Sequence, residues 1–144
     1  VGVISNNNSP ATEGDYKTVK KATEAWQASR AAEPEAREQI LKEGFASLRS
    51  NYEYFIIFDL FKAVVLRFEE RVSVDRLGEV IVNPDYTEKV IAKVGLLGRY
   101  IEAHLHSDSF GAVKPTSDDL KNEIDAFLEL KKELKEIREK VFEA

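Results

Sequence analysis

Apolar residues along this chain recur mainly at steps of three and four, the spacing that lines one face of a helix. Tyr16, Val19, Thr23 and Trp26 make such a stripe on an otherwise charged stretch, predicting a helix over 15–32. Trp26 reads as its packing anchor, with base stacking the lesser alternative. Pro34 suits the first turn of a second helix, where its missing N–H costs nothing, and Glu33 and Glu35 suit the positive end of the dipole. The seam of that helix is Leu41, Phe45, Leu48, Tyr52 and Phe55. Beyond it, 54–68 is apolar almost all round, the mark of a central element buried on several sides. Ser50-Asn51 leaves open whether this span is one helix or two. Asp59 and Lys62 fall inside the run at a spacing that predicts an ion pair at the core margin, a solvated site being the alternative.

The pattern changes over 71–82, where Val72 and Val74 alternate, Gly78 ends a turn, and Val80-Ile-Val82 follows. β-branched residues flanking a glycine turn predict a small β-hairpin, although Ser73 could instead cap a helical turn. Asn83 as N-cap, Pro84 at the first helical position and Asp85 in the first turn start the next helix, expected to run to about 106. Its buried stripe is Val90, Ile91, Val94, Leu97 and Ile101. Gly95 and Gly98 each cost about 1 kcal/mol relative to alanine, so a close neighbouring backbone is expected there. A loop follows over 107–116, and Ser117 caps a last helix whose dipole meets Asp118 and Asp119. Leu120, Phe127, Leu134 and Val141 repeat every seven residues, with Leu130 and Ile137 at the other seam position of a bundle or coiled coil. The fold expected is all-α: a four- to five-helix bundle over 15–144, with the hairpin near 71–82, preceded by a tail or linker end over 1–14.

Composition narrows this picture. At 144 residues one domain with one core is expected. The absence of cysteine removes disulfides, thiolate nucleophiles and the usual zinc sites, and two histidines do not make a metal cage. No metal or cofactor is therefore expected. The longest apolar run, 55–66, contains Asp59 and Lys62 and is far short of the ~20 residues of a membrane span, so a cytoplasmic protein is expected. A net charge of −5 opposes a long phosphate-tracking surface, though not a small site for one RNA loop. The lack of any methionine, position 1 included, suggests either removal of the initiator or a fragment of a longer protein.

Candidate chemistry begins at 99–108, which holds both histidines. On a helix Arg99 neighbours Glu102, and Glu102 neighbours His106, whereas His104 lies about 140° round from Arg99. A second group is Arg49 and Glu53, one turn apart beside the Leu48/Tyr52 seam. By composition it reads as a salt bridge of about 0.3 kcal/mol.

Together these residues resemble a known family. Arg99-x4-His104 fits the Arg-x4–6-His signature of the HEPN ribonuclease superfamily, and Arg99-x6-His106 fits it as well. Arg49-xxx-Glu53 followed by His104 looks like the Arg-xxx-Glu and His arrangement of the HEPN-type anticodon nucleases PrrC and RloC. The run 48–108, with LRSNYE, VVLRFEERVSVDRLGEV and LLGRYIEAHLHSD, is similar to the region after the ATPase in bacterial ABC-type defence ATPases. The likeness covers roughly 35–130. It implies a toxin-like, anti-phage endoribonuclease, often dimeric, acting without metal on RNA such as a tRNA anticodon loop. Arg49 and Arg99 would hold the phosphate, His104 would act as acid or base, and Glu53 would orient it or take the 2′-OH proton, with Glu102 and His106 in reserve. No Gly-rich phosphate loop is present, so any ATPase would belong to the rest of the parent protein. The alternative is a non-catalytic helical dimerisation or regulatory module of such an ATPase.

Overall fold

The computed structural model describes residues 14–110 and 114–143, with side chains left undescribed over 103–110. Apart from Gly14, the expected tail lies outside the described residues. Four long helices dominate: α1 (Lys20–Ala31), α2 (Pro34–Phe55), α3 (Pro84–Phe110) and α4 (Ser117–Phe142). No strand is present among the described residues. The all-α bundle expected from the periodicity is the observed fold.

α2 is the central helix and packs against the other three. Pro34 occupies its first turn, and the predicted seam of Leu41, Phe45, Leu48, Tyr52 and Phe55 is fully buried. Tyr52 and Phe55 both set their rings edge-on to Phe127 of α4, at 4.6 and 5.7 Å, a geometry that aromatic quadrupoles favour. Gly44 lies on the same buried face. A β-carbon built there would lie 2.7 Å from Leu120 Cδ2 and 3.0 Å from Ala25 Cβ, so α1 and α4 close on α2 at this point.

Several local expectations shift. Helix formation at the N-terminal end is delayed: Asp15–Lys17 is a 3-10 turn, and Val19 takes a left-handed conformation at φ 49° before α1 begins. The Asp15 carboxylate then accepts from Lys21 N at 3.0 Å, serving one of the helix's free N–H groups. Asn83 caps α3 as predicted, accepting from Tyr86 N at 3.0 Å, but α3 continues to Phe110 and carries Ile91 exposed rather than buried. The cap of α4 is Thr116, not Ser117. Thr116 and Asp119 exchange side-chain-to-backbone bonds in a capping box, and Ser117 instead shares a 2.7 Å hydrogen bond with Ser29 of α1. Val141 lies exposed beyond the last packed turn of α4.

The largest correction concerns the apolar run 54–68. Instead of a central helix it leaves α2 at Phe55, makes a π-turn over Ile56–Leu60 and turns away with Lys62, Ala63 and Phe68 all at positive φ. Phe61, Val65 and Phe68 are exposed. Periodicity reports how apolar a segment is, not whether a neighbour is available to cover it. The predicted hairpin is also absent. Val74–Glu79 is a 3-10 turn, so a helical turn does follow Ser73, although the Ser73 hydroxyl makes no capping bond. Ser73 N donates to Val64 O at 2.7 Å and folds the segment back on itself.

Close approach at Gly95 and Gly98 is likewise not observed. Among the described residues, a β-carbon at either position would meet nothing within 4 Å. The tightly packed glycine is Gly44.

Candidate functional site

The arrangement of α2 against α3 decides which of the candidate side chains can meet. Lys93 pairs with Glu123 at 3.2 Å and Lys89 with Glu133 at 2.6 Å, so α3 runs antiparallel to α4. Gly44 abuts Leu120 while Tyr52 abuts Phe127, so α2 runs parallel to α4. α2 and α3 are therefore antiparallel, with the Phe45 and Tyr100 rings stacked at 4.7 Å as their shared level.

Measured from that level at 1.5 Å per residue, Arg49 lies roughly 6 Å and Arg99 roughly 1.5 Å toward the α3 N-terminus. The two arginines differ by only about 4–5 Å along the bundle axis, and both are exposed. Glu53 lies roughly 12 Å in the same direction, whereas the backbone of His104 lies roughly 6 Å the other way. Glu53 and His104 are thus about 18 Å apart along the axis of a single chain. Glu102 is exposed on α3. His104 and His106 belong to the helical backbone of α3, and their side chains lie outside the described residues.

Nor do Arg49 and Glu53 pair with each other. The Glu53 carboxylate is engaged by the Arg67 guanidinium from the segment after α2, and that guanidinium also sits 5.9 Å over the Tyr54 ring. Both partners are nearly half exposed, so solvent screening leaves the pair worth at most about 1 kcal/mol. Sequence reasoning missed Arg67 because 14 residues and an irregular turn separate it from Glu53, and no helical spacing predicts that meeting.

Asp59 and Lys62 do not pair among the described residues. Asp59 Oδ1 accepts from the Tyr16 hydroxyl at 3.2 Å, and the Lys62 backbone is left-handed at φ 53°. Both border a cleft of about 620 Å³ between the π-turn and the end of α4. Two of its four cations are committed to the scaffold: Lys131 Nζ donates to the Tyr16 and Lys17 carbonyls at 3.1 and 3.3 Å, and Arg138 donates to the Glu79 carbonyl. Burial, opposed by the Asp59 carboxylate, holds the Lys131 pKa below its ordinary value.

A second cleft, of about 650 Å³, is bordered by the Glu53–Arg67 pair. Ile57, Phe61, Val65 and Leu66 line one part of it, and Leu77 and Val80 another. Among the described residues, Glu53 and Arg67 are the only charged ones in its lining. In size and polarity it is the kind of concavity that takes an apolar group. The signal for it lay in the 54–68 run, whose apolarity is real but is directed outward.

Among the described residues no set of three or more potential ligands gathers to hold a metal ion, and no helix is long and apolar enough to cross a membrane. The chain matches no known protein family, no curated protein and no solved structure.

Proposed function

We propose that the chain is a helical docking module that works through the apolar cleft between the π-turn and Val74–Glu79. The observation that supports this reading is the concentration of exposed apolar side chains: Phe61, Val65 and Leu77 line the cleft and are 49%, 58% and 58% exposed. A soluble bundle normally covers such residues or keeps them scattered. The cleft also lies on irregular backbone held by α2, so its shape derives from the scaffold while its surface is free to meet a partner. An environment-sensitive apolar dye tests this. The dilute native chain should enhance its fluorescence, and Val65→Asp, made at an exposed position, should reduce that enhancement several-fold. Equal, weak fluorescence from both proteins would remove the reading.

A second reading is favoured by two exposed arginines at similar levels of the antiparallel helices α2 and α3: a HEPN-like endoribonuclease of a larger bacterial defence ATPase, acting in the cytoplasm. Arg49 and Arg99 stand close enough in level to grip one phosphate in bidentate fashion. The axial offset of Glu53 from His104 then calls for a composite site, with His104 supplied by a second copy. In the reaction the 2′-oxygen gives its proton to the base and bonds to phosphorus as the P–O5′ bond breaks. The departing 5′-oxygen takes a proton from the acid, leaving a 2′,3′-cyclic phosphate and a 5′-OH. Cleavage of a tRNA substrate should persist in EDTA and fall at least about 100-fold in Arg49→Ala and in His104→Ala. Mixing those two inactive variants should restore part of the activity if the site is shared between copies. Cleavage that needs a divalent ion, or that survives both substitutions, refutes it.

A further inference from the structure

Resting on the docking reading, we infer that the apolar cleft and its surroundings form a twofold interface with a second copy of this chain. The first argument is area. Seven large apolar residues in the single stretch 61–82 are about half exposed or more: Phe61, Val65, Phe68, Val72, Val74, Leu77 and Val82. At roughly 150–250 Å² for a fully exposed phenylalanine and roughly 60–120 Å² for a valine or leucine side chain, they present on the order of 400–750 Å² of apolar surface. Phe61, Val65 and Leu77 share one cleft lining, and with the other four the stretch approaches the roughly 800 Å² that each partner contributes to a standard interface. The Ser73 N to Val64 O bond folds the stretch back so that its two halves stand side by side.

The second argument is charge. The whole chain carries −5, but within 61–82 four cations, Lys62, Arg67, Arg71 and Arg76, balance four carboxylates, Glu69, Glu70, Asp75 and Glu79. A nucleic acid or an anionic membrane calls for an excess of cations. A locally neutral patch bearing both signs is instead what an isologous contact needs, because each copy must present the same surface to itself without repulsion. The cleft itself, apolar in its lining with the Glu53–Arg67 pair at its border, follows the usual core-and-rim composition of protein interfaces.

Sedimentation equilibrium across a wide concentration series tests this on the full chain. The wild type should be a reversible dimer. Val65→Asp and Leu77→Lys, on separate turns and both at exposed positions, should each weaken the dimer at least about 30-fold, with the helical circular dichroism unchanged. Ile91→Glu, at an exposed position of α3 outside the cleft lining, should leave it intact. A wild-type dimer that both cleft substitutions leave unaltered overturns the interface. A wild-type monomer at every concentration also overturns it, and the dye measurement then separates two cases. Dye bound by the wild type and lost in Val65→Asp means that another partner fills the cleft, whereas no dye binding removes the docking reading as well.

Discussion

Replacing Gly44 by alanine adds a methyl carbon 2.7 Å from Leu120 Cδ2 and 3.0 Å from Ala25 Cβ. Leu120 is a fully buried core side chain, and Ala25 Cβ is fixed directly to the α1 backbone, so relief requires α1 or the core to move. Overpacking of this kind costs about 1–3 kcal/mol, partly offset by the roughly 1 kcal/mol that alanine gains over glycine inside a helix. Gly44→Ala should therefore destabilise the chain by about 1 kcal/mol. Gly95→Ala and Gly98→Ala present the opposite case. Both glycines lie within α3 with no atom of another described element inside 4 Å of the added methyl, so each substitution should stabilise by up to about 1 kcal/mol through helix propensity and a less flexible unfolded chain. Urea unfolding followed by circular dichroism at a concentration where the chain is monomeric reads these differences, with an unchanged m-value confirming that the unfolded state is comparable. The sign is the decisive outcome. A stabilising Gly44→Ala, or destabilisation by Gly95→Ala and Gly98→Ala alike, would refute the packing described for α2 and α3.

Two further outcomes follow from buried polar groups. Asn51 is fully buried, and among the described residues neither its side-chain oxygen nor its nitrogen has a hydrogen-bond partner; Asn51→Leu should raise stability by about 1–2 kcal/mol in the same urea assay, and a loss of stability would reveal a polar partner for the amide. Burial, reinforced by the Glu123 carboxylate, pushes the Tyr52 pKa well above the ordinary 10.0, and burial with Glu133 does the same for Tyr86. These phenols stay protonated in the folded chain while the unfolded chain releases their protons from about pH 10, so their contribution to stability is complete below that pH and declines as pH rises through the window above it. Phenolate absorbance on a base titration should lag for these two tyrosines until the chain unfolds, and ordinary, reversible ionisation of all five tyrosines in the folded chain would contradict their burial.

Much of the scaffold was legible from residues close together in sequence. Asn83 and Pro84 mark the start of α3, Pro34 that of α2, and the four-three-four-three spacing of Leu41 to Phe55 identifies the buried face. These signals are local, because caps and helical periodicity depend on neighbours within one or two turns. Even there, Thr116 outcompeted Ser117 for the α4 cap, since only Thr116 stands three residues before Asp119 and can complete a reciprocal pair, while Ser117 found Ser29 across the bundle. The candidate residues Arg49, Glu53, Arg99, Glu102, His104 and His106 were identifiable as residue types at suggestive spacings, but their mutual placement was not. The antiparallel register of α2 and α3 sets Arg49 near the level of Arg99 and separates Glu53 from His104, and Arg67 reaches Glu53 across an irregular turn.

The sequence by itself thus determined the helices, their apolar seams and most of their starting points. Tertiary structure decided which surfaces have a neighbour: Gly44 rather than Gly95 or Gly98 receives another helix, and the apolar run after Phe55 turns outward. The reason is physical. Helix formation is driven by interactions along one segment, whereas cover and register depend on how many faces the other segments can occupy, and three helices already fill those around α2.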